Sequence, residues 1–226
     1  MSEVNWDREV DLLVVGTGNG GLVAAVCNWE LGTKDVLIIE KQDKVGGTSA
    51  TSGGGIWVPN SHYAKAVGAE DNPQDAKQYL MNTLFGEDVP EEMIDTYLEK
   101  SPEMLQFLHD RTDVRYESLA EYPDYYTNVD GAREGHRSLE PAPIMASDLG
   151  EHWKNMTWTH FMMRLFNRIH FTQVEAHLLM VQLPGWKRLM ARLLWDYVKD
   201  IPWRLKTPIS RRLACGSAGV ARLYLS

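Results

Sequence analysis

Cysteine is nearly missing from this chain: Cys27 and Cys215 are its two thiols, and their separation fits neither a disulfide framework nor a zinc site, which agrees with a reducing cytoplasm. The seven histidines show no ligand spacing, so no metal is expected. Long apolar runs are absent too, and none could span a bilayer; Met1 to Glu9 is polar and acidic, which argues against a signal peptide. A shortage of hydrophobic residues is not found. At 44% hydrophobic and 24% charged over 226 residues, the chain can build one generous domain with a core. Positive charge is scarce in the front part: residues 1–152 hold eleven Lys/Arg against twenty-eight Asp/Glu, which disfavours nucleic acid, whereas 153–212 hold eleven against three.

What is present begins with Val10 to Gly55. Leu12-Leu13-Val14-Val15 is short and apolar and runs straight into Gly16-Thr17-Gly18-Asn19-Gly20-Gly21, where a buried parallel strand must turn into a helix. Gly16 permits the tight turn, Gly18 lets the backbone approach a pyrophosphate, and Gly21 lets the helix pack close to the strand. Asn19 to Leu31 reads as that helix, with Leu22, Val23, Ala25, Val26 and Trp29 as its apolar stripe and Gly32 as its stop. Val36 to Ile39 is a second strand. Glu40 stands at its end, about 20 residues beyond the glycines, where a carboxylate can accept the ribose hydroxyls of an adenosine and would repel a 2′-phosphate.

Gly46-Gly47-Thr48-Ser49-Ala50-Thr51-Ser52-Gly53-Gly54-Gly55 has the composition of a flexible linker, yet it follows Glu40 closely and leads into apolar Ile56-Trp57-Val58-Pro59. A loop of this kind can lay N–H groups and hydroxyls along the pyrophosphate and ribityl chain of a flavin.

Three stretches, DLLVVGTGNGG, the pair Glu40-Lys41 and GGTSATSGGGIWVPN, resemble the flavoproteins related to fumarate reductase and succinate dehydrogenase, most closely the 3-ketosteroid 1-dehydrogenase branch. The resemblance implies an α/β fold: a Rossmann-like FAD-binding domain with a parallel sheet, a βαβ start and a long helical excursion. It implies FAD held by Gly16, Gly18, Asn19, Gly20, Gly21, Glu40, Lys41, Gly46, Gly47, Thr48, Ser49, Ser52, Gly53 and Gly54. No histidine lies between Glu40 and Ser61, so the covalent attachment of succinate dehydrogenases is not expected and the FAD should be non-covalent.

Further along, Asn72-Pro73 reads as a helix start, with Ala76, Tyr79, Leu80 and Leu84 as the buried stripe and Gly86 closing it. Pro90-Glu91-Glu92 suggests a second helix and Ser101-Pro102-Glu103 a third, carrying Leu105 and Leu108. Val114 to Tyr116 could be a short strand. Tyr122-Pro123-Asp124-Tyr125-Tyr126 is, on composition, an aromatic surface loop. Together with Gly135-His136-Arg137-Ser138-Leu139-Glu140-Pro141 it also resembles a motif pair of 3-ketosteroid dehydrogenases in which a tyrosine enters the substrate cavity, and Tyr125 is the matching position. His136 stands where related sequences commonly carry glycine.

The resemblance implies desaturation of a carbon–carbon bond beside a ketone, with hydride transfer to flavin N5, a small lipophilic ketone such as a steroid as substrate, and an electron acceptor the sequence does not identify. Tyr125 would be the partner of the catalytic base; base and ketone clamp would lie beyond Ser226. A fumarate reductase-like enzyme is the alternative, and a truncated FAD-binding fragment without activity of its own is another.

In residues 153–212, Trp186, Leu189, Met190, Leu193, Leu194 and Tyr197 share one helix face and Lys187, Arg188 and Arg192 lie elsewhere. This basic amphipathic segment is either a helical excursion packed on the acidic front part or a peripheral membrane contact. The expected organisation is 1–60 for the βαβ and flavin loop, 61–150 for helices and the tyrosine loop, 151–212 for the basic insertion, and 213–226 for a helix cut short, leaving the domain incomplete at the C-terminus.

Overall fold

The computed structural model describes residues 6–226. Strand β1 (Leu12–Val15) runs parallel to β2 (Val36–Ile39), with Val14 opposite Ile38, and helix α1 (Asn19–Glu30) connects them. Leu22 and Ala25 are the buried residues of α1, and Gly32, at φ +114°, ends it. Trp29 was expected inward but is 46% exposed, with the Lys34 ammonium 4.2 Å from its ring centre; a surface cation–π contact takes the place of burial. The sheet leaves Leu13, Val15, Ile38 and Ile39 exposed among the described residues.

The glycine-rich stretch is not loop throughout. Residues Gly47–Thr51 form the short helix α2, entered through Gly46 at φ +116° and anchored by fully buried Ala50. Then β3 (Ile56–Trp57) joins β4 (Tyr116–Ser118) and β5 (Ser138–Pro141) in an antiparallel sheet ordered β3-β5-β4. The strand expected at Val114 begins later, because the Val114 N–H is taken by the Thr112 hydroxyl at 3.1 Å and not by a neighbouring strand.

Between β3 and β4 lie α3 (His62–Ala66), α4 (Pro73–Thr83) and α5 (Glu91–Arg111). Helix α4 starts as its sequence implies, the Asn72 side chain accepting from the Gln74 N–H at 3.0 Å with Pro73 in the first turn. Ala76 and Tyr79 are buried, but Leu80 and Leu84 are half-buried. The two helices expected at Pro90 and Ser101 are one. Ile94, Leu105 and Leu108 fall on a single buried stripe across Pro102, and packing of that stripe outweighs the cost of an interior proline, about 3 kcal/mol.

The rear segment begins with β6 (Ile144–Met145) and 3₁₀ turns over Ala146–Asn155, then a hairpin of β7 (Arg164–Leu165) and β8 (Ile169–His170). Its helices start only at α6 (Gln173–Met180), followed by α7 (Trp186–Lys199) and α8 (Ile201–Arg204). Leu189 and Leu193 of α7 pack on Ile169, as their spacing implies. Strand β9 (Arg212–Leu213) returns to pair with β6, and α9 (Cys215–Leu225) follows.

Helix α9 is the middle of the core: Cys215 to Ala221 and Leu223 are all buried against α1 and α2. Burial of Val220 and Leu223 stabilises by roughly 1.5–3 kcal/mol each. A Cβ on Gly216 would come within 2.0 Å of the Ser49 carbonyl oxygen, so α2 and α9 meet backbone to backbone. Among the described residues no helix is long and apolar enough to cross a membrane.

Candidate functional site

A cleft of about 790 Å³ opens at the C-terminal ends of β1 and β2, lined by Gly16, Thr17, Gly18, Glu40, Lys41, Gly47, Thr48 and Ser49 and, from the rear segment, Thr157. The main chain makes this shape. Gly16 takes φ +97° to swing β1 into α1, and a Cβ on Gly21 would sit 2.3 Å from the Gly16 carbonyl oxygen, so the helix lies as close to the turn as glycine permits. The first N–H groups of α1 have no intrahelical acceptor, which makes its start a site for an anion. One of them, on Asn19, donates to Ser49 Oγ at 3.0 Å and ties α2 to that end. Among the described residues the buried Asn19 Oδ1 has no partner.

Thr17 is the residue that motif reading passed over. Its N–H donates to Glu40 Oε2 at 3.0 Å, its hydroxyl donates to the same oxygen, and Gly46 N–H donates to that hydroxyl at 2.9 Å. Gln42 N–H occupies Glu40 Oε1 at 3.1 Å. The Thr17 hydroxyl first, then the Gln42 and Thr17 amides, pull the Glu40 carboxyl down to about 2. Glu40 is therefore a fixed carboxylate at the end of β2, with lone pairs left for a ribose. An anion-ready helix start that only glycine lets lie this close to the turn, and a held carboxylate at the end of β2, together fit a dinucleotide.

A second cavity, of about 950 Å³, begins where α2 ends and is lined by the rings of Trp57, Tyr79, Tyr97, Tyr122, Tyr125 and Tyr126 together with Leu80, Met93 and Ile94. Ser52, Gly53 and Gly54 line this cavity and not the cleft. The rear segment adds Met163 and Gln173, whose amide Nε2 donates to the Gly53 carbonyl at 3.3 Å. Tyr125 is at the rim and 83% exposed, while Tyr122 is half-buried. Burial, and after it the Tyr125 hydroxyl, push the Tyr122 phenol above its ordinary value.

The residues expected to hold the cofactor thus divide. Gly16, Gly18, Glu40, Lys41, Gly47, Thr48 and Ser49 face the cleft; Asn19, Gly20 and Gly21 form the first turn of α1 behind it; Gly46 is buried beneath α2. Ser52 spends its hydroxyl locally, donating to the Ser49 carbonyl at 2.9 Å and accepting from Gly54 N–H at 3.0 Å. The GHRSLEP stretch does not reach the cavity as a ligand-facing motif, apart from Ser138. Arg137 and Glu140 are buried at 1% and 0% exposure, and Glu140 accepts from Gln173 N–H at 2.6 Å, fixing the start of α6. His136 takes φ +69°, a left-handed conformation that glycine adopts without strain, with its Nδ1 3.0 Å from Ser118 Oγ.

This arrangement has known counterparts. The chain is 32% identical to the 3-oxosteroid 1-dehydrogenase of Comamonas testosteroni over 96% of its own length and 38% of the relative's. With the 3-oxosteroid 1-dehydrogenase of Mycolicibacterium smegmatis it shares 40% over 66% of this chain and 26% of that one. The crystal structure of 3-ketosteroid delta1-dehydrogenase from Sterolibacterium denitrificans in complex with 1,4-androstadiene-3,17-dione superposes with a TM-score of 0.88 and 36% identity, over 95% of this chain and 38% of that one. The chain therefore spans between a quarter and two fifths of the length of these proteins. The family described as FAD binding domain matches residues 11–210, across the glycine turn, the cleft and the aromatic cavity alike, and the chain belongs to that family.

Proposed function

We propose that the protein holds FAD non-covalently and desaturates a carbon–carbon bond beside the ketone of a 3-ketosteroid. One observation carries the reading: Thr51 lines the nucleotide cleft and Ser52 to Gly55 line the aromatic cavity, so the two sites share a single stretch of main chain. Bound FAD would supply the hydride acceptor. Gly16, Gly18 and the first turn of α1 would hold its pyrophosphate, Glu40 its ribose, and Thr48 and Ser49 the chain beyond. The rings of Trp57, Tyr79 and Tyr97 would exclude water and bed a flat lipophilic substrate. Taking a proton from beside a ketone needs a base and a clamp on the ketone oxygen; on this reading Tyr125 is the hydrogen-bonding partner of that base. Tyr122, protonated at neutral pH, shapes the wall beside it.

The experiment is direct. Purified protein supplied with FAD should be yellow and reduce a dye with a 3-ketosteroid but not with succinate. Tyr125→Phe should lower turnover by roughly tenfold or more at unchanged flavin content; loss of flavin instead would remove Tyr125 from this role. Flavin that stays with the polypeptide through acid precipitation contradicts non-covalent binding. A fumarate reductase-like activity would need arginines facing a dicarboxylate, and the described cavity wall contains none. A colourless product without dye reduction would favour a fragment without activity.

A peripheral membrane contact is a second proposal, favoured by the outer side of α7 and α8. There the exposed Trp195, Val198, Ile201 and Leu205 stand beside Lys199 and Arg204, with Lys187 and Arg188 exposed at the start of α7, a composition suited to an anionic interface. Flotation with anionic liposomes tests it, and protein left at the bottom of the gradient removes it. Residence in the cytoplasm belongs with this proposal and rests on the free thiols of Cys27 and Cys215.

A further inference from the structure

We infer that Arg137 is the positioning residue of the aromatic cavity, fixing both the Tyr122–Tyr126 loop and the Trp57 indole without itself touching a ligand. The inference rests on the proposed steroid reading for what the cavity holds, though not for how the wall is built.

Residues 121–137 form no regular element, so side chains must hold this loop. Asp124, 4% exposed, is its anchor: Oδ1 accepts from Trp57 Nε1 at 2.7 Å, and Oδ2 accepts from Arg133 N–H at 2.9 Å and Arg137 Nη1 at 2.8 Å. Arg137 extends the frame outward. Its Nε and Nη2 grip both oxygens of Asp71 at 2.8 and 3.0 Å, and Nη1 also donates to the Gly131 carbonyl at 2.7 Å. The guanidinium carbon lies 5.7 Å from the ring of Trp57 and 5.9 Å from that of Tyr79, directly behind two walls of the cavity. One planar cation therefore ties its own loop, from Asp124 to Gly131, to two stretches far away in sequence, Trp57 and Asp71 to Tyr79.

The charge explains why geometry depends on it. Without Arg137, the Asp124 carboxylate would be buried and uncompensated, which a low-dielectric interior does not tolerate. The carboxylate would leave for water, carrying Tyr122 and Tyr125 away from the cavity and releasing the indole. The nucleotide cleft draws no residue from this network and should be unaffected.

The test combines a probe of the wall with a probe of its use. With 5-fluorotryptophan in place of tryptophan, the Trp57 ¹⁹F resonance in R137M should move toward that of an exposed indole, and affinity for a 3-ketosteroid should fall more than tenfold. FAD affinity should change less than twofold. R137K keeps the charge but not the fork, and should recover melting temperature without recovering steroid affinity. Adding D124N to R137M removes the uncompensated carboxylate and should draw the resonance part of the way back. A folded R137M with an unmoved resonance and wild-type steroid affinity overturns the inference; if R137M does not fold, R137K, which keeps the charge and loses the fork, is read in its place, and an unmoved resonance with wild-type steroid affinity there overturns it equally. Wild-type protein that binds no 3-ketosteroid sinks the steroid reading alone, and the resonance then decides the positioning role.

Discussion

On one side of Ser52 the molecule presents main chain and hydroxyls; on the other it presents rings. The nucleotide cleft is shaped by Gly16, Gly18 and Gly47 within two short segments, and its fixed carboxylate, Glu40, is held by Gln42 and by Thr17 in the facing glycine turn. The aromatic cavity draws Trp57, Tyr79, Tyr97 and Tyr125 from four separate stretches and depends on a buried ion network behind them. A backbone site needs glycines in a fixed order, whereas a side-chain site needs distant residues to be brought together and held.

If that contrast is sound, damage to one site should spare the other. The largest effect is expected from Asp71→Leu, which strips Arg137 of its bidentate partner. Breaking a buried pair costs about 3–5 kcal/mol, so the calorimetric midpoint should fall by roughly 10 °C for a chain of this size, with flavin retained by the folded protein. A shift under about 2 °C would show that the network holds little. Gly21→Ala should do the converse. Its Cβ overlaps the Gly16 carbonyl oxygen, so roughly 1–3 kcal/mol of overpacking falls on the cleft and flavin content should drop while the cavity keeps its ligand.

A gentler cut at the cleft is Thr17→Val, which removes the hydroxyl between Glu40 and Gly46. Because the Glu40 carboxyl is depressed in the folded state, its contribution is complete above 4.5, its unperturbed value, and is lost as pH falls through about 2. Without the hydroxyl the loss should move up toward 4.5. Flavin should then leave the variant on acidification through roughly pH 5 to 3, a range in which the wild type keeps it. A carboxyl titration by NMR that is identical in both proteins would refute the role given to Thr17. The smallest effect is expected from His136→Gly: relief of the left-handed histidine, about 1 kcal/mol, is offset by the freer unfolded chain and the lost Ser118 contact. Urea midpoints should agree within about 0.5 kcal/mol of stability, and a loss above 2 kcal/mol would mean that the His136–Ser118 contact matters more than its geometry suggests.

The same contrast explains what could be read from the residues. Leu12 to Gly21, the stop at Gly32 and the Asn72 cap were legible because each is decided by neighbours within a turn or two. Thr17 was not, because a threonine among glycines carries no signal until Glu40 and Gly46 fold around it. Helix α5 misled because Pro102 is a local stop signal, and only the stripe of Ile94, Leu105 and Leu108 meeting the core overrides it. Arg137 looked like part of a substrate motif; that it is buried and paired depends on Asp71 and Asp124, 66 and 13 residues away.

By itself the sequence determined the βαβ turn, the carboxylate at the end of β2 and the class of coenzyme, since these follow from backbone freedom and short-range order. Tertiary structure alone decided how Gly46 to Gly55 divides between cleft and cavity, which tyrosines line the cavity, and that α9 sits at the centre of the core. Those outcomes depend on burying charge and apolar surface from segments far apart, and a carboxylate such as Asp124 has no location until the arginine that neutralises it has one.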